Sequence, residues 1–494
     1  MDFAMEEAQP PRPEREGTVS LNEREQLLRL LNLIEKDKFN LGDVKKRRQL
    51  ENSGEAFLPR RRLADVDRRH PASLPASPLG MASKQRGKTI YMDQWPELQV
   101  KPGENTLMPT QHQLRSAGHR TIGGTPIALE TAIELRKIVY GSVIHSFSRE
   151  WRKSTLAFQD IDGPYPFGIQ TQLCNSRGLA LCVQGYMLKR LCFDREYTSS
   201  LFSVSSLRPN SFERRKALID GVCEMLWQAG EKRRCCVVLL EDDASFGPDY
   251  RYRFDNITER LHLFEFKKFE DVQFFVKRNL ERFQAENGCG LIQILYSLVL
   301  SRTVQKIRED MGIGEDSKAK LLTDVEDLTI SLLNLTITGR AVSHLHNGDL
   351  LYDLKGSLLP VPSKGVKERA NVGFLFWDKG EDPDRRTEVG SMLKTPKTPI
   401  WLTKVNHMYG LLFSTNLDLI SDWRIENRFP LSYYTGLVTQ AQTACLNIET
   451  RIGRPRPKTS LGRRAEEKIP PLENCIMTKW YGANITWNGT QPFF

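Results

Sequence analysis

The stretch YPFGIQTQLCNSRGLALCVQGYMLKRLCF, residues 165–193, places a thiol just before an apolar helical run. An extended segment leads into a polar loop that contains Cys174, and the helical run begins near position 177. Cysteine hydrolases place their nucleophile at such a helix start, because the free N–H groups and the helix dipole there lower the thiol pKa. The same N–H groups can hold an oxyanion. Hydrolysis by a cysteine nucleophile is therefore the first reaction that the sequence suggests.

A second group of residues that could take part in chemistry is the pair His344 and His346. The two histidines are separated by one residue in HLHNGD, beside Asp349. On a strand, both imidazoles would share one face, as metal ligands require. One pair without further ligands is a weak pattern, so we predict no metal site. The sequence also lacks a phosphate loop, an HExxH motif and a GxSxG motif, and we expect no cofactor.

The elements that must position these residues are helices and strands mixed without regular alternation, which predicts an α+β fold. Apolar periodicity predicts the helices 125–151, 177–193, 211–230, 271–284 and 290–310. A buried strand is predicted at 235–242, a further strand at 262–269, a β-hairpin at 399–414 and strand-like structure at 468–494.

Residues 1–120 form a basic leader that we expect to be mostly disordered, ahead of a folded domain at 121–494. Ser20 and Glu23 match a capping box, which predicts one short helix at 20–37. This helix either docks on a partner or on the folded domain, or stays transient without a partner. The net charge is +10, and much of the excess lies in the leader, which is either a solvated tail or a nucleic-acid-binding segment. The basic stretch 451–468 is predicted to be a flexible surface insertion.

The chain contains no apolar run of about 18 residues and no apolar signal core, so we expect no membrane partner. Its nine cysteines are an odd number without a Cys-x-x-Cys pair, which predicts reduced thiols. Both features favour a cytoplasmic or nuclear location.

The 165–193 stretch resembles the MINDY deubiquitinase family, in particular its FAM188-type, MINDY-three/four-like branch. Active members of that branch carry a pattern close to YGLVQNKGGPCGVLAAVQ at the equivalent place. Further similar blocks are GRAVSHLHNGD (339–349), NVGFLFWD (371–378), LKTPKTPIW (393–401) and PPLENCIMTKWYGANITWNG (470–489). The resemblance covers roughly residues 120–494. It implies a papain-like-related cysteine protease fold of the MINDY type, acting on ubiquitin or lysine-48-linked polyubiquitin.

The departures from the family pattern fall on its catalytic positions. Aligned without gaps, Arg177 stands at the nucleophile, Thr171 at the glutamine of the oxyanion hole and Met408 at the general-base histidine. A guanidinium stays protonated and has no lone pair to attack with, and a thioether cannot accept a proton as a base. The resemblance therefore implies an inactive member that has kept ubiquitin binding.

Two alternatives stay open. Cys174 and His407, which lies one residue before the histidine position, could form a relocated dyad that gives an active cysteine deubiquitinase. On a strand, however, an offset of one residue points a side chain to the opposite face. In the other alternative the chain is a basic adaptor or scaffold that does not bind ubiquitin.

Overall fold

The computed structural model describes residues 123–194, 207–314, 317–352, 356–382, 386–440, 444–451 and 469–492. The leader 1–120, with its predicted helix at 20–37, and residues 452–468 of the predicted insertion lie outside these ranges. Within the described part, helices and strands are mixed, in agreement with the predicted α+β class.

The helices are α1 Leu129–Tyr140, α2 Arg149–Lys153, α3 Arg177–Phe193, α4 Ser211–Ala229, α5 Phe269–Gln284, α6 Gly290–Arg302, α7 Val304–Met311, α8 Ile330–Thr338, α9 Ser391–Lys394 and α10 Pro471–Met477. The strands are β1 Thr125–Pro126, β2 Cys235–Leu240, β3 Leu261–Phe266, β4 Asp349–Tyr352, β5 Leu358–Lys364, β6 Gly373–Trp377, β7 Ile400–Val405, β8 Met408–Phe413, β9 Arg428–Tyr434, β10 Ala444–Glu449 and β11 Asn484–Thr486.

The main sheet has six strands in the order β11-β10-β9-β8-β7-β6, and only the β6–β7 pair is parallel. Strands β7 and β8 form the predicted hairpin, with Val405 paired to Met408 across a two-residue turn. A second sheet has the order β1-β3-β2, and β4 and β5 pair as a separate two-stranded sheet.

Three sequence predictions are corrected by the positions where helices begin and end. The helix predicted at 125–151 is two helices, because Gly141 adopts a left-handed conformation with φ of 73° and ends α1. Thr303, with φ of 74°, divides the helix predicted at 290–310 into α6 and α7. The C-terminal segment predicted as strand-like contains α10, since Pro471 fits the first turn of a helix, and only β11 is a strand there.

Helix α3 is the central element, with fourteen of its seventeen residues buried. One face of the main sheet contacts it, because Tyr409 lies against Gly178 and Leu411 lies against Gly185. Side chains alternate between faces along a strand, so Met408, Gly410 and Leu412 lie on the other face. That face forms a second apolar cluster together with α10.

On its remaining side α3 packs against α4 at Gly221, where an added Cβ would lie 3.0 Å from the backbone nitrogen of Met187. None of the described helices combines the length and the apolar character that crossing a membrane requires.

Candidate functional site

The site is built at the start of α3, where the loop 171–176 turns into the helix. Ser176 precedes the helix, but its hydroxyl does not cap the backbone. Instead its Oγ lies 2.6 Å from Ser154 Oγ and 3.1 Å from Cys174 Sγ. The three side chains form a polar cluster beside the first helical turn.

Arg177 is the first residue of α3, and its side chain is only 2% exposed. Its guanidinium donates two hydrogen bonds to the carbonyl oxygen of Thr435, from Nε at 3.0 Å and from Nη2 at 2.6 Å. Burial lowers the pKa of this guanidinium, because a charge away from water loses its hydration. The arginine thus ties α3 to the segment that follows β9.

Thr171 is bound to the same segment. Its backbone N–H donates to the carbonyl oxygen of Gly436 at 2.8 Å, and Gln159 Nε2 donates to that oxygen at 2.9 Å. Gly436 has a φ of +76°, and a Cβ there would lie 2.6 Å from Thr171 Oγ1, so the position favours glycine on both counts. Thr171 Oγ1 itself is buried and has no hydrogen-bond partner among the residues that the structure describes.

Cys174 is half-buried, and the remaining cysteines apart from Cys445 are buried; none of the nine forms a disulfide. The Cys174 thiol faces a cavity of about 330 Å³ that Thr171, Ser176 and Arg177 also line. Burial raises the pKa of Cys182 to about 12, and this thiol lies inside α3 beside Thr336 Oγ1. Cys182 is therefore a core thiol.

The candidate bases lie in a different place. His407 is an exposed residue of the turn between β7 and β8, and Met408 opens β8 on the sheet face that Gly410 shares. Neither residue lines the cavity, and the hydrogen bonds of Cys174 go to Ser176 and Ser154. The structure therefore brings Cys174, Thr171 and Arg177 together without His407 or Met408.

His344 and His346 lie before β4, with their rings stacked at 5.2 Å. His346 Nε2 lies 2.9 Å from Ser363 Oγ, and His344 Nδ1 lies 3.3 Å from the carbonyl oxygen of Lys364. Within the described ranges no group of three or more histidine, cysteine or acidic residues is arranged to hold a metal ion.

Sequence reasoning missed the residues that complete this site, namely Ser154, Gln159, Thr435 and Gly436. Thr435 and Gly436 lie far along the chain from α3, whereas Ser154 and Gln159 lie shortly before it, and no recognisable motif includes any of the four. The glycine that follows Thr435 was the one available signal, since a positive φ favours glycine.

A polar loop at the start of α3, packed against a mixed sheet, defines the candidate site, which brings Thr171, Cys174 and Arg177 together without His407 or Met408. Residues 136–489 match the family described as "Deubiquitinating enzyme MINDY-3/4, conserved domain". Since this match covers well over half of the sequence, the chain belongs to the MINDY-3/4 deubiquitinase family.

Individual relatives agree with that assignment. The chain is 33% identical over 374 residues to the "Probable ubiquitin carboxyl-terminal hydrolase MINDY-4" of Xenopus tropicalis, which covers 76% of this chain and 47% of the relative. It is 30% identical over 367 residues to the protein of the same name from Homo sapiens, covering 74% and 46%. The "Ubiquitin carboxyl-terminal hydrolase MINDY-3" of Bos taurus is 28% identical over 263 residues, covering 48% and 55%.

The chain thus spans about half the length of the curated relatives that it matches. No solved structure matches it significantly.

Proposed function

We propose that this chain is a MINDY-family pseudoenzyme that binds ubiquitin and does not cleave it. The observation that carries the proposal is the buried Arg177 at the start of α3, where the nucleophile of the active relatives aligns. Its guanidinium is hydrogen-bonded to the carbonyl oxygen of Thr435 and has no lone pair to attack a carbonyl carbon.

Two further positions support the loss of chemistry. The hydroxyl of Thr171 is buried against Gly436, so it is committed to packing at the place where the family has its oxyanion glutamine. Met408 has no basic nitrogen to accept a proton. Since residues of a catalytic unit depend on one another, three losses together abolish hydrolysis by the family route.

Ubiquitin is the proposed partner, because the matched relatives are named as ubiquitin carboxyl-terminal hydrolases. Lysine-48-linked chains are the proposed preferred form, and the cytoplasm or nucleus the proposed location.

The β4–β5 hairpin is the proposed contact surface for ubiquitin. Its apolar side chains are well exposed, including Leu351 at 49% and Leu358 at 70%. Exposed apolar surface of this kind is typical of a protein interface.

The first test combines a pull-down with lysine-48-linked chains and a reaction with an electrophilic ubiquitin probe. We expect the full chain to retain the ubiquitin chains and to form no covalent adduct with the probe. An active MINDY relative, run in parallel, should do both.

The contact surface is tested by the double change Leu351→Ser and Leu358→Ser, which should weaken retention of the chains. The matched control is Phe212→Ser with Phe274→Ser, two residues exposed at 72% and 69% on α4 and α5. If both double variants retained the ubiquitin chains equally well, the hairpin would not be part of the ubiquitin interface.

Two results would overturn the proposal itself. An adduct that disappears in both Cys174→Ala and His407→Ala would establish the relocated dyad. No retention of any ubiquitin form would instead favour the adaptor function.

A further inference from the structure

A large cleft lies at the other end of α3. It has a volume of about 800 Å³, and Arg190 of α3 is part of its wall. At 1.5 Å per residue, Arg190 is about 20 Å along the helix from Arg177. The cleft is therefore separate from the candidate site.

The charge of the cleft is strongly one-sided, because eight cationic side chains line it and only three acidic ones do. Two of the acids are each held by two cations. Glu224 contacts Lys189 and Arg190, and Glu231 contacts Arg302 and Lys306. These carboxylates are therefore already neutralised, and the third acid, Glu368, is exposed.

Several cations of the cleft, by contrast, have no acidic partner anywhere in the described part of the chain. Arg369 uses its guanidinium on the carbonyl oxygens of Thr395 and Pro396. Lys232, Arg233, Arg340 and Lys397 are exposed and make no ion pair within the described ranges. A cleft with such a surplus attracts anionic groups, because low-dielectric walls concentrate its field.

The wall also carries aromatic surface. Trp227 and Phe269 are half-buried there, with ring centroids 5.9 Å apart, and Gln228 and Asn371 add amide groups. A small phosphate would use the cations alone. The size of the cleft and the aromatic pair fit a peptide chain with an apolar side chain among its acidic residues.

We propose that this cleft binds an acidic peptide segment of a partner protein, with an apolar anchor on Trp227 and Phe269. The carboxylates of the peptide would pair with Arg340 and Lys397 on one side and with Lys232 and Arg233 on the other. This binding is independent of ubiquitin and of the residues around Arg177.

The test is fluorescence anisotropy with a labelled peptide of about eight residues, long enough to extend ~25 Å. The peptide contains glutamate and aspartate around a single central phenylalanine. Its comparison peptide carries glutamine and asparagine in place of the acids. We expect the full chain to bind the acidic peptide, and to bind it less tightly as salt is added. The neutral peptide should not bind.

The charge-reversal variant Arg340→Glu with Lys397→Glu should bind the peptide about tenfold or more weakly, since at least two exposed ion pairs are lost. Lys277→Glu with Arg278→Glu is the matched control, because it changes the net charge equally at exposed positions of α5 outside the cleft. This control should bind like the unchanged chain. The variant Trp227→Ala should also weaken binding while leaving its salt dependence in place.

Three outcomes would overturn the proposal. Absence of binding by the unchanged chain is the first, and an equal loss in the cleft and control variants is the second, since it would reflect net charge alone. In the third, inorganic tripolyphosphate or an oligonucleotide binds the cleft while the acidic peptide does not. A ubiquitin pull-down on the same variants keeps this result separate from the function proposed above.

Discussion

At the scale of single residues, Arg177 and Thr171 both have structural roles at the start of α3. Arg177 connects the start of α3 to the carbonyl oxygen of Thr435, and Thr171 connects the preceding loop to the adjacent Gly436. Together with Gln159, they hold the segment 435–436 against the helix. Arg177 and Thr171 thus maintain the shape of the candidate site.

Replacing Arg177 by alanine should therefore destabilise the protein. A buried carbonyl oxygen that loses its donor costs about 1–3 kcal/mol, and the space left by the side chain adds to this cost. We expect the free energy of unfolding, measured by urea denaturation, to fall by about 2–4 kcal/mol. Arg278→Ala, at an exposed position of α5, is the control and should change it by less than about 0.5 kcal/mol. If Arg177→Ala left the free energy of unfolding unchanged, the contact with Thr435 would not be stabilising.

Rebuilding the catalytic set should require all three changes. We expect Arg177→Cys, Thr171→Gln and Tyr409→His together to react with the ubiquitin probe at position 177, and each change alone not to react, because Tyr409 is the β8 residue whose side chain lies against the start of α3 at Gly178. A thiol without a base stays protonated, and one oxyanion donor is typically worth about 3 kcal/mol.

The control for this experiment carries Arg177→Ser with the other two changes and should form no adduct. A folded triple variant whose thiol never reacts would contradict the alignment of position 177 with the nucleophile. Met408→His in place of Tyr409→His should not support the reaction, since Met408 lies with Gly410 on the face of β8 that is turned away from α3.

At the scale of the elements, α3 is fixed by close approach on two sides. The sheet reaches it at Gly178 and Gly185, and α4 reaches it at Gly221. The atoms nearest to a Cβ at Gly221 belong to the backbone of Met187 and Tyr186, which cannot move aside as a flexible side chain can. Alanine would otherwise favour a helix over glycine by about 1 kcal/mol.

For this reason we expect Gly221→Ala to destabilise the protein by about 1–3 kcal/mol, measured by thermal or urea unfolding. Gly247→Ala, where nothing lies within 4 Å, should be close to neutral. Stabilisation by Gly221→Ala would show that α3 and α4 can separate without cost.

The junction of α4, α6 and α7 should give a pH dependence of stability. Hydrogen bonds from Lys306 and Arg302 lower the pKa of Glu231 to about 2 from its usual 4.5. A depressed carboxyl pKa adds stability above the unfolded value, and this contribution is lost as the pH falls through the folded value. At pH 7, the free energy of unfolding should be lower for Glu231→Gln than for the unchanged chain. This difference in free energy should become smaller as the pH falls from about 4.5 to about 2.

Urea unfolding at several pH values measures this difference. Glu281→Gln is the control, because its partner Arg215 is 3.4 Å away and both side chains are well exposed. If the difference in free energy of unfolding between Glu231→Gln and the unchanged chain stayed constant with pH, this would contradict the assigned role of Glu231.

At the scale of the whole molecule, two faces are available to partners. The exposed β4–β5 hairpin is apolar, and the cleft at the far end of α3 is cationic. Both belong to residues 123–494, so the proposed binding activities require only that part of the chain.

A chain from which residues 1–120 are removed should consequently retain lysine-48-linked chains as well as the full chain does. The pull-down described above measures this directly. Loss of ubiquitin binding on truncation would assign the binding to the leader and contradict the proposal, whereas loss of nucleic-acid binding alone would concern only the basic leader.

The sequence by itself was sufficient for the family, the mixed fold class and the main helices and strands. Local periodicity is strong where an element is long and buried, and α3 begins and ends at the predicted residues 177 and 193. The β7–β8 hairpin was predictable for the same reason. The breaks at Gly141 and Thr303 were missed, because apolar periodicity continues across both positions.

The residues 171, 177 and 408 were also identified from the sequence, and the proposal that the chain is inactive started from them. What those residues do instead depended on contacts between distant parts of the chain. The partner of Arg177 is a backbone carbonyl 258 positions away, and the partner of Thr171 lies on the next residue. A backbone oxygen has no sequence signature, since every residue carries one, so only the tertiary structure could show that Arg177 connects the start of α3 to the segment after β9.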